Sequence, residues 1–213
     1  MQHGVVTGGK GTLAQAILSA FRLPDWTMAA PGRNELDVAD PEAVSSYFRN
    51  RPADLLICNA GITRDELLPR ANEKNWDEVF AVNYHGASAC AAAVIQGMRI
   101  RKHGHIIFIS SYSALHPPIG QTAYATSKAA LLGLVKDLAQ KYGPDGIRVN
   151  AILPGFLETP MTSKLSESRR ETVRNDHALG RFNTVTEVAA FIRFLHEKLP
   201  HTSGQIFQLD SRC

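Results

Sequence analysis

Val5-Val6-Thr7-Gly8-Gly9-Lys10-Gly11-Thr12-Leu13-Ala14 is the stretch on which the fold turns. An apolar pair runs into a glycine-rich turn, and the turn opens residues 13–21, where apolar side chains recur at helical spacing. Glycines at a strand-to-helix corner let the chain turn tightly and let an anionic group approach the N–H groups of the helix start. Gly8, Gly11 and Ala14 fit G-x-x-G-x-x-A, while the G-x-G-x-x-G spacing is absent. A turn of this kind is a weak signal alone, and it gains weight from the elements that follow it.

Residues 26–30 read as a short strand. Residues 41–49 read as a helix, with Asp40 as N-cap and Pro41 at the first helical position. The run 54–58 (Asp-Leu-Leu-Ile-Cys) is a buried strand, and 76–98 reads as one long, Ala-rich helix. Strand 105–110, helix 123–141, strand 147–153, helix 187–199 and strand 205–209 complete the series. This alternation predicts an α/β fold: a single doubly wound parallel sheet of Rossmann type, with helices on both faces. One domain is expected over residues 1–213, with no internal repeat. Within it, the polar stretch 156–183 is long for a connection and is expected to be a lid over the substrate.

Composition narrows the function. In 213 residues, hydrophobic side chains make up 44% and charged ones 20%, the balance of an ordinary soluble globule. The net charge of +3, with no basic block interleaved with aromatics, does not point to nucleic acid. There is no apolar run long enough to span a bilayer, and Met-Gln-His-Gly is not the start of a signal peptide, so no membrane partner is expected. Cys58, Cys90 and Cys213 lack CxxC spacing and are expected to be reduced thiols in a cytoplasmic protein. His116 has no second ligand nearby in sequence, so no metal site is expected.

Chemistry concentrates in two places. Tyr124 and Lys128 lie four residues apart on a predicted helix and project from one face. An ammonium beside a phenol favours the phenolate, which is expected to bring the Tyr124 pKa down toward a working range. Ser110 and Ser111 end a predicted strand, where open parallel sheets bind their ligands, and a hydroxyl there could hold a carbonyl.

Thr7-Gly8-Gly9, Asn59-Ala60-Gly61, Asn83, Ile109-Ser110-Ser111, Tyr124-Ala125-Thr126-Ser127-Lys128 and Pro154-Gly155 together resemble, in order and spacing, the short-chain dehydrogenase/reductase family. The stretches 59–65 and 155–162, and Gly180-Arg181-Phe182 followed by Glu187-Val188-Ala189, look like its 3-oxoacyl-acyl-carrier-protein and acetoacetyl-CoA reductases. The resemblance implies an NAD(P)-dependent oxidoreductase that passes a hydride from NADPH to a ketone carbonyl, with a 3-oxoacyl thioester as substrate. A dehydrogenase of alcohols, sugars or steroids, or a non-catalytic nucleotide sensor on the same fold, are the alternatives.

By the same resemblance Tyr124 is the acid–base residue. Lys128 lowers its pKa and binds the nicotinamide ribose, Ser111 holds the carbonyl, and Ser110 is its structural neighbour. Asn83 holds a water that links Lys128 to solvent. Thr7, Gly8, Gly9, Lys10 and Gly11 would cradle the cofactor phosphates, with Asn59, Ala60 and Gly61 under the adenine ribose. Asp37 and Val38 would contact the adenine, and Pro154, Gly155 and Thr159 the nicotinamide side. A homodimer or homotetramer is implied as well.

Three departures from the family stand out. The third glycine of the phosphate turn is Leu13 or Ala14. Between Trp26 and Asp40 the chain is shortened, leaving residues 34–38 as the remnant of a third strand. After Asp210 the sequence reads Ser211-Arg212-Cys213 where a glycine pair is usual. An acid after the second strand would select NAD, but that place reads Ala30-Pro31-Gly32-Arg33. With Arg33 and Lys10 as cations, NADPH is the expected cofactor and NADH remains possible. Lys164, Arg169, Arg170 and Arg174 make the lid basic; a solvated face paired with Glu167 and Glu171 is preferred over a carrier-docking site.

Overall fold

The computed structural model describes residues 1–163 and 165–212, so Lys164 and Cys213 lie outside the described residues. Six parallel strands form one sheet: β1 (Gln2–Val6), β2 (Trp26–Ala29), β3 (Leu55–Cys58), β4 (Gly104–Ile109), β5 (Ile147–Leu153) and β6 (Ile206–Gln208), in the spatial order β2-β1-β3-β4-β5-β6. Every residue of β3 and β4 is buried, as continuous apolar runs in a doubly covered parallel sheet must be.

On one face pack α1 (Thr12–Ala20) and α7 (Val185–Lys198), which contribute Ile17, Val188, Ile192 and Leu195 to one core, joined by Phe21 just past the end of α1. The other face is covered by α2 (Pro41–Phe48), α4 (Ala87–Arg101) and α5 (Thr122–Tyr142), through Val44, Phe48, Cys90, Val94, Leu131 and Val135. The remaining helices are α3 (Glu73–Phe80), which packs against α5, and α6 (Glu167–Asn175). Asp40 caps α2 as expected, its carboxylate accepting from the N–H groups of Glu42 and Ala43. Leu13 and Ala14, standing where the family has its third glycine, are buried in the α1 core.

From β1 the chain crosses to β2 on one side and then to β3 on the other. That reversal opens a crevice beyond the carboxyl ends of β1 and β3, where the Thr7–Gly11 turn and Asn59-Ala60-Gly61 sit.

Two expectations need correction. Residues 34–38 form no strand: the N–H groups of Glu35 and Leu36 both donate to the Gly32 carbonyl, closing a turn. Leu36 and Val38 bury their side chains in the core over α2 and α4, so the shortened segment keeps its apolar anchors without a ladder. The long helix expected over 76–98 is also interrupted. Between α3 and α4, Ala81–Gly86 widens into a π-helical turn, a local rearrangement that changes where the side chains of one turn point.

Candidate active site

The π turn carries Asn83, which has no exposed surface. Its Oδ1 accepts from Ile62 N–H (2.8 Å), and its Nδ2 donates to the Ile62 carbonyl (3.0 Å) and to Ser127 Oγ (3.0 Å). One side-chain amide thus satisfies both backbone groups of Ile62, as a neighbouring strand would, and pins the loop after β3 to α5. Ser127 in turn donates to the Tyr124 carbonyl (2.7 Å).

Lys128 is buried on α5, and its Nζ donates to the Ile109 carbonyl at 2.8 Å. That ammonium lies 5.9 Å from the centroid of the Tyr124 ring. Gly61 leaves the gap that admits it, since a Cβ there would stand 3.3 Å from Nζ. Burial lowers the Lys128 pKa to about 8, with the Cys58 thiol beneath it a smaller opposing influence. Tyr124 moves opposite to the sequence expectation. Burial raises its phenol above the usual value, a hydrogen bond with Ser111 pulls against that, and Asp65 adds to the rise. The expected lowering fails because desolvation outweighs that hydrogen bond, while the neighbouring ammonium is itself desolvated.

The two serines divide as expected. Ser110 is buried and donates to the Lys128 carbonyl (2.9 Å), holding β4 to α5. Ser111 reaches Tyr124 and also caps the short turn Tyr112–Ala114, accepting from Ser113 N–H at 3.1 Å. A network unread in the sequence continues from there: Ser113 Oγ donates to Gln121, and Gln121 Nε2 donates to Asp65 (2.8 Å). Its signal was present, because Gln121 precedes Tyr124 by three residues and so lies one helical turn away.

At the crevice, Gly9 has its Cα so close to the end of β2 that a Cβ would lie 1.9 Å from the Ala30 carbonyl oxygen. Thr7 is buried. Its Oγ1 accepts from the N–H groups of Asn59 and Ala60, both at 3.0 Å, and Asn59 Nδ2 donates to its carbonyl (3.0 Å). Thr7 therefore braces β1 against β3 from beneath the turn. The α1 helix begins at Gly11 with no side-chain cap and no acid in its first turn. Its leading N–H groups are left for an anion, so the residues present fit a dinucleotide pyrophosphate.

The adenine side is less open than the sequence implied. Arg33 pairs with Asp37 (3.0 Å), Asp37 also accepts from Ala39 N–H, and Val38 is buried against Gly86. Glu35 folds back so that its carboxylate accepts from Gly32 N–H (2.9 Å), beside the stem of Lys10. Pro154 and Gly155 leave β5 in a turn held by Asn183, whose Nδ2 donates to the Pro154 carbonyl; Thr159 begins a turn closed onto Thr162. Among the described residues, no group of His, Cys, Asp and Glu side chains could hold a metal.

A glycine-lined crevice at the switch point, with a hydroxyl–ammonium cluster beside it, marks an oxidoreductase. Residues 27–211 match the family model described as enoyl-(acyl carrier protein) reductase. The chain is 38% identical over 190 residues to a 3-oxoacyl-[acyl-carrier-protein] reductase of Thermotoga maritima, covering 89% of this chain and 76% of that one. It is 32% identical over 212 residues to the enzyme of that name from Aquifex aeolicus, with 97% and 85% covered. An acetoacetyl-CoA reductase of Synechocystis is 38% identical over 224 residues, with 97% and 93% covered. The chain belongs to the short-chain dehydrogenase/reductase family, whose members use a nicotinamide cofactor.

Proposed function

We propose that this chain is an NADPH-dependent reductase of ketone carbonyls, acting on 3-oxoacyl thioesters carried by a carrier protein or coenzyme A. The observation that carries the reading is the cluster where β4 meets α5: the buried Lys128 ammonium lies 5.9 Å from the centroid of the Tyr124 ring, and Ser111 stands beside that phenol. In reduction the Tyr124 phenol gives its proton to the nascent alkoxide, and in the reverse oxidation the same oxygen takes it back. The relatives named for 3-oxoacyl and acetoacetyl substrates support the substrate class.

In this reading the hydroxyls of Ser111 and Tyr124 polarise the substrate oxygen, and Tyr124 supplies the proton. Lys128 donates toward the ribose on the nicotinamide side, and Asn83 keeps Lys128 and Ile62 in register. The cofactor, held by the Gly8–Gly11 turn, by Asn59-Ala60-Gly61 and by Pro154-Gly155 with Thr159, supplies the hydride. Lys10 favours a 2′-phosphate, Arg33 does so after partial neutralisation by Asp37, and Glu35 opposes it. Segment 156–183 forms the lid within the single domain. The buried thiols of Cys58 and Cys90, the latter pushed up to about 12, suit a reducing cytoplasm. Assembly is as a homo-oligomer. Among the described residues no helix is long and apolar enough to cross a membrane.

The test is oxidation of NADPH and of NADH with acetoacetyl-CoA, and with crotonyl-CoA as the alkene counterpart, in wild type and Tyr124→Phe. Turnover of acetoacetyl-CoA with NADPH is expected, falling at least about 100-fold in the variant while NADPH still binds. Turnover of crotonyl-CoA alone would overturn the carbonyl assignment, and a preference for NADH would overturn the cofactor choice.

A further inference from the structure

The segment that departs from the family's glycine pair does not hang free. The Asp210 carboxylate has no exposed surface and accepts from Arg212 Nε (2.9 Å) and from an Arg212 terminal nitrogen (2.5 Å), with Gln208 Nε2 on its other oxygen (3.1 Å). The same side chain fills the space above Gly155, where a Cβ would lie 2.5 Å from that of Asp210. Gly155 sits there at φ +80°, a conformation that costs glycine little.

Held flat by this fork, the Arg212 guanidinium lies 3.5 Å from the centroid of the Tyr112 ring. His116 stacks on that ring as well, at 4.4 Å and 20°. Two planar groups this close to one centroid occupy opposite faces, so Tyr112 is sandwiched between Arg212 and His116. Tyr112 directly follows Ser111 and opens the turn whose Ser113 N–H fixes Ser111 Oγ. Backbone contacts meanwhile join this segment to the lid: Ala178 N–H donates to the Ser211 carbonyl (3.0 Å), Leu179 N–H to Ser211 Oγ (3.3 Å), and His177 bridges Arg212.

We propose that Arg212 is a positioning residue, a clasp that locks the turn bearing Ser111 to the lid through its fork on Asp210 and its stack on Tyr112. Neither part substitutes for the other. The fork orients the guanidinium, and the stack carries that orientation to the Ser111 turn. Lysine would keep the charge and lose both the plane and the second hydrogen bond. An Arg at this place therefore exchanges the freedom of a glycine pair for a fixed substrate wall.

The kinetic arm of the test rests on the reductase reading, and the exchange arm does not. In Arg212→Lys and in Tyr112→Leu, which leaves the ion pair intact, kcat and kcat/KM for acetoacetyl-CoA are expected to fall together about tenfold, with KM within a few-fold and NADPH affinity unchanged. Amide hydrogen exchange at Ala178, Leu179 and 112–116 is expected to accelerate about tenfold in Arg212→Gln. Full rescue by lysine, or exchange at those amides unchanged from wild type, overturns the proposal. Wild type that reduces no 3-oxoacyl thioester removes the substrate reading, and the exchange result then decides the clasp alone.

Discussion

His105 and His196 form a buried polar pair whose acid sensitivity follows from its hydrogen bonds. Asn150 Nδ2 donates to His105 Nε2 (3.0 Å), which leaves the proton of His105 on Nδ1, facing His196 Nδ1 at 3.2 Å. His196 must accept there, and a proton added to that nitrogen would break the bond. Burial, with Arg148 and His103 assisting and Asp54 opposing, lowers the His196 pKa to about 4, and burial depresses His105 in the same direction. A groove of about 590 Å³ lined by Asp25, His103, Arg148, Glu197 and His201 gives solvent a route to this end of the sheet.

The folded pKa lies below the unfolded one, so the unfolded state binds the extra proton first. Stability is unaffected above about pH 6.5 and is lost as the pH falls from there toward 4. The gap between 6.5 and about 4 is worth about 3 kcal/mol when fully expressed and about 2 kcal/mol at pH 5 for His196 alone. Urea denaturation at pH 7.5 and pH 5.0 would read this as a midpoint difference of about 1 M. His196→Gln, which keeps an acceptor for His105 and cannot titrate, is expected to remove that share of the acid-induced loss and to leave the share due to His105. A variant with the same acid-induced loss as wild type would refute the assignment.

Four further outcomes are expected. Gly9→Ala drives a methyl into the Ala30 carbonyl, and a cost of about 1–3 kcal/mol should appear as a thermal midpoint lower by several degrees, with NADPH binding weakened. Asn83→Ala leaves both backbone groups of Ile62 without their partner and should cost about 2–4 kcal/mol in chemical denaturation. Lys10→Glu should lower the ratio of kcat/KM for NADPH over NADH by about tenfold, and an unchanged ratio would place the 2′-phosphate elsewhere. With Lys128 at about 8 in the free protein, kcat/KM should decline as the pH rises through that value and the ammonium is lost. A profile flat to pH 10 would separate Lys128 from the limb.

Much of this protein was legible in its residue order. Alternating apolar runs fix a parallel sheet because each strand buried on both faces must be apolar throughout, as 55–58 and 104–109 are. Spacing of four on a helix put Tyr124 and Lys128 on one face, and the glycines of the first turn marked the crevice. Other features depended on contacts between segments far apart in the chain. The π turn carries Asn83, whose amide meets both backbone groups of Ile62, twenty-one residues away. The direction of the Tyr124 pKa depended on the balance of burial against a hydrogen bond, which local sequence does not encode. Residues 34–38 kept their apolar anchors and closed into a turn on Gly32 instead of forming a ladder. Arg212 reaches Tyr112 across a hundred residues, so only the folded sheet, in which the segment after β6 extends past β5 to the turn after β4, could reveal the clasp. Periodicity is a local property and survives in the sequence; desolvation and long-range pairing arise when the layers close.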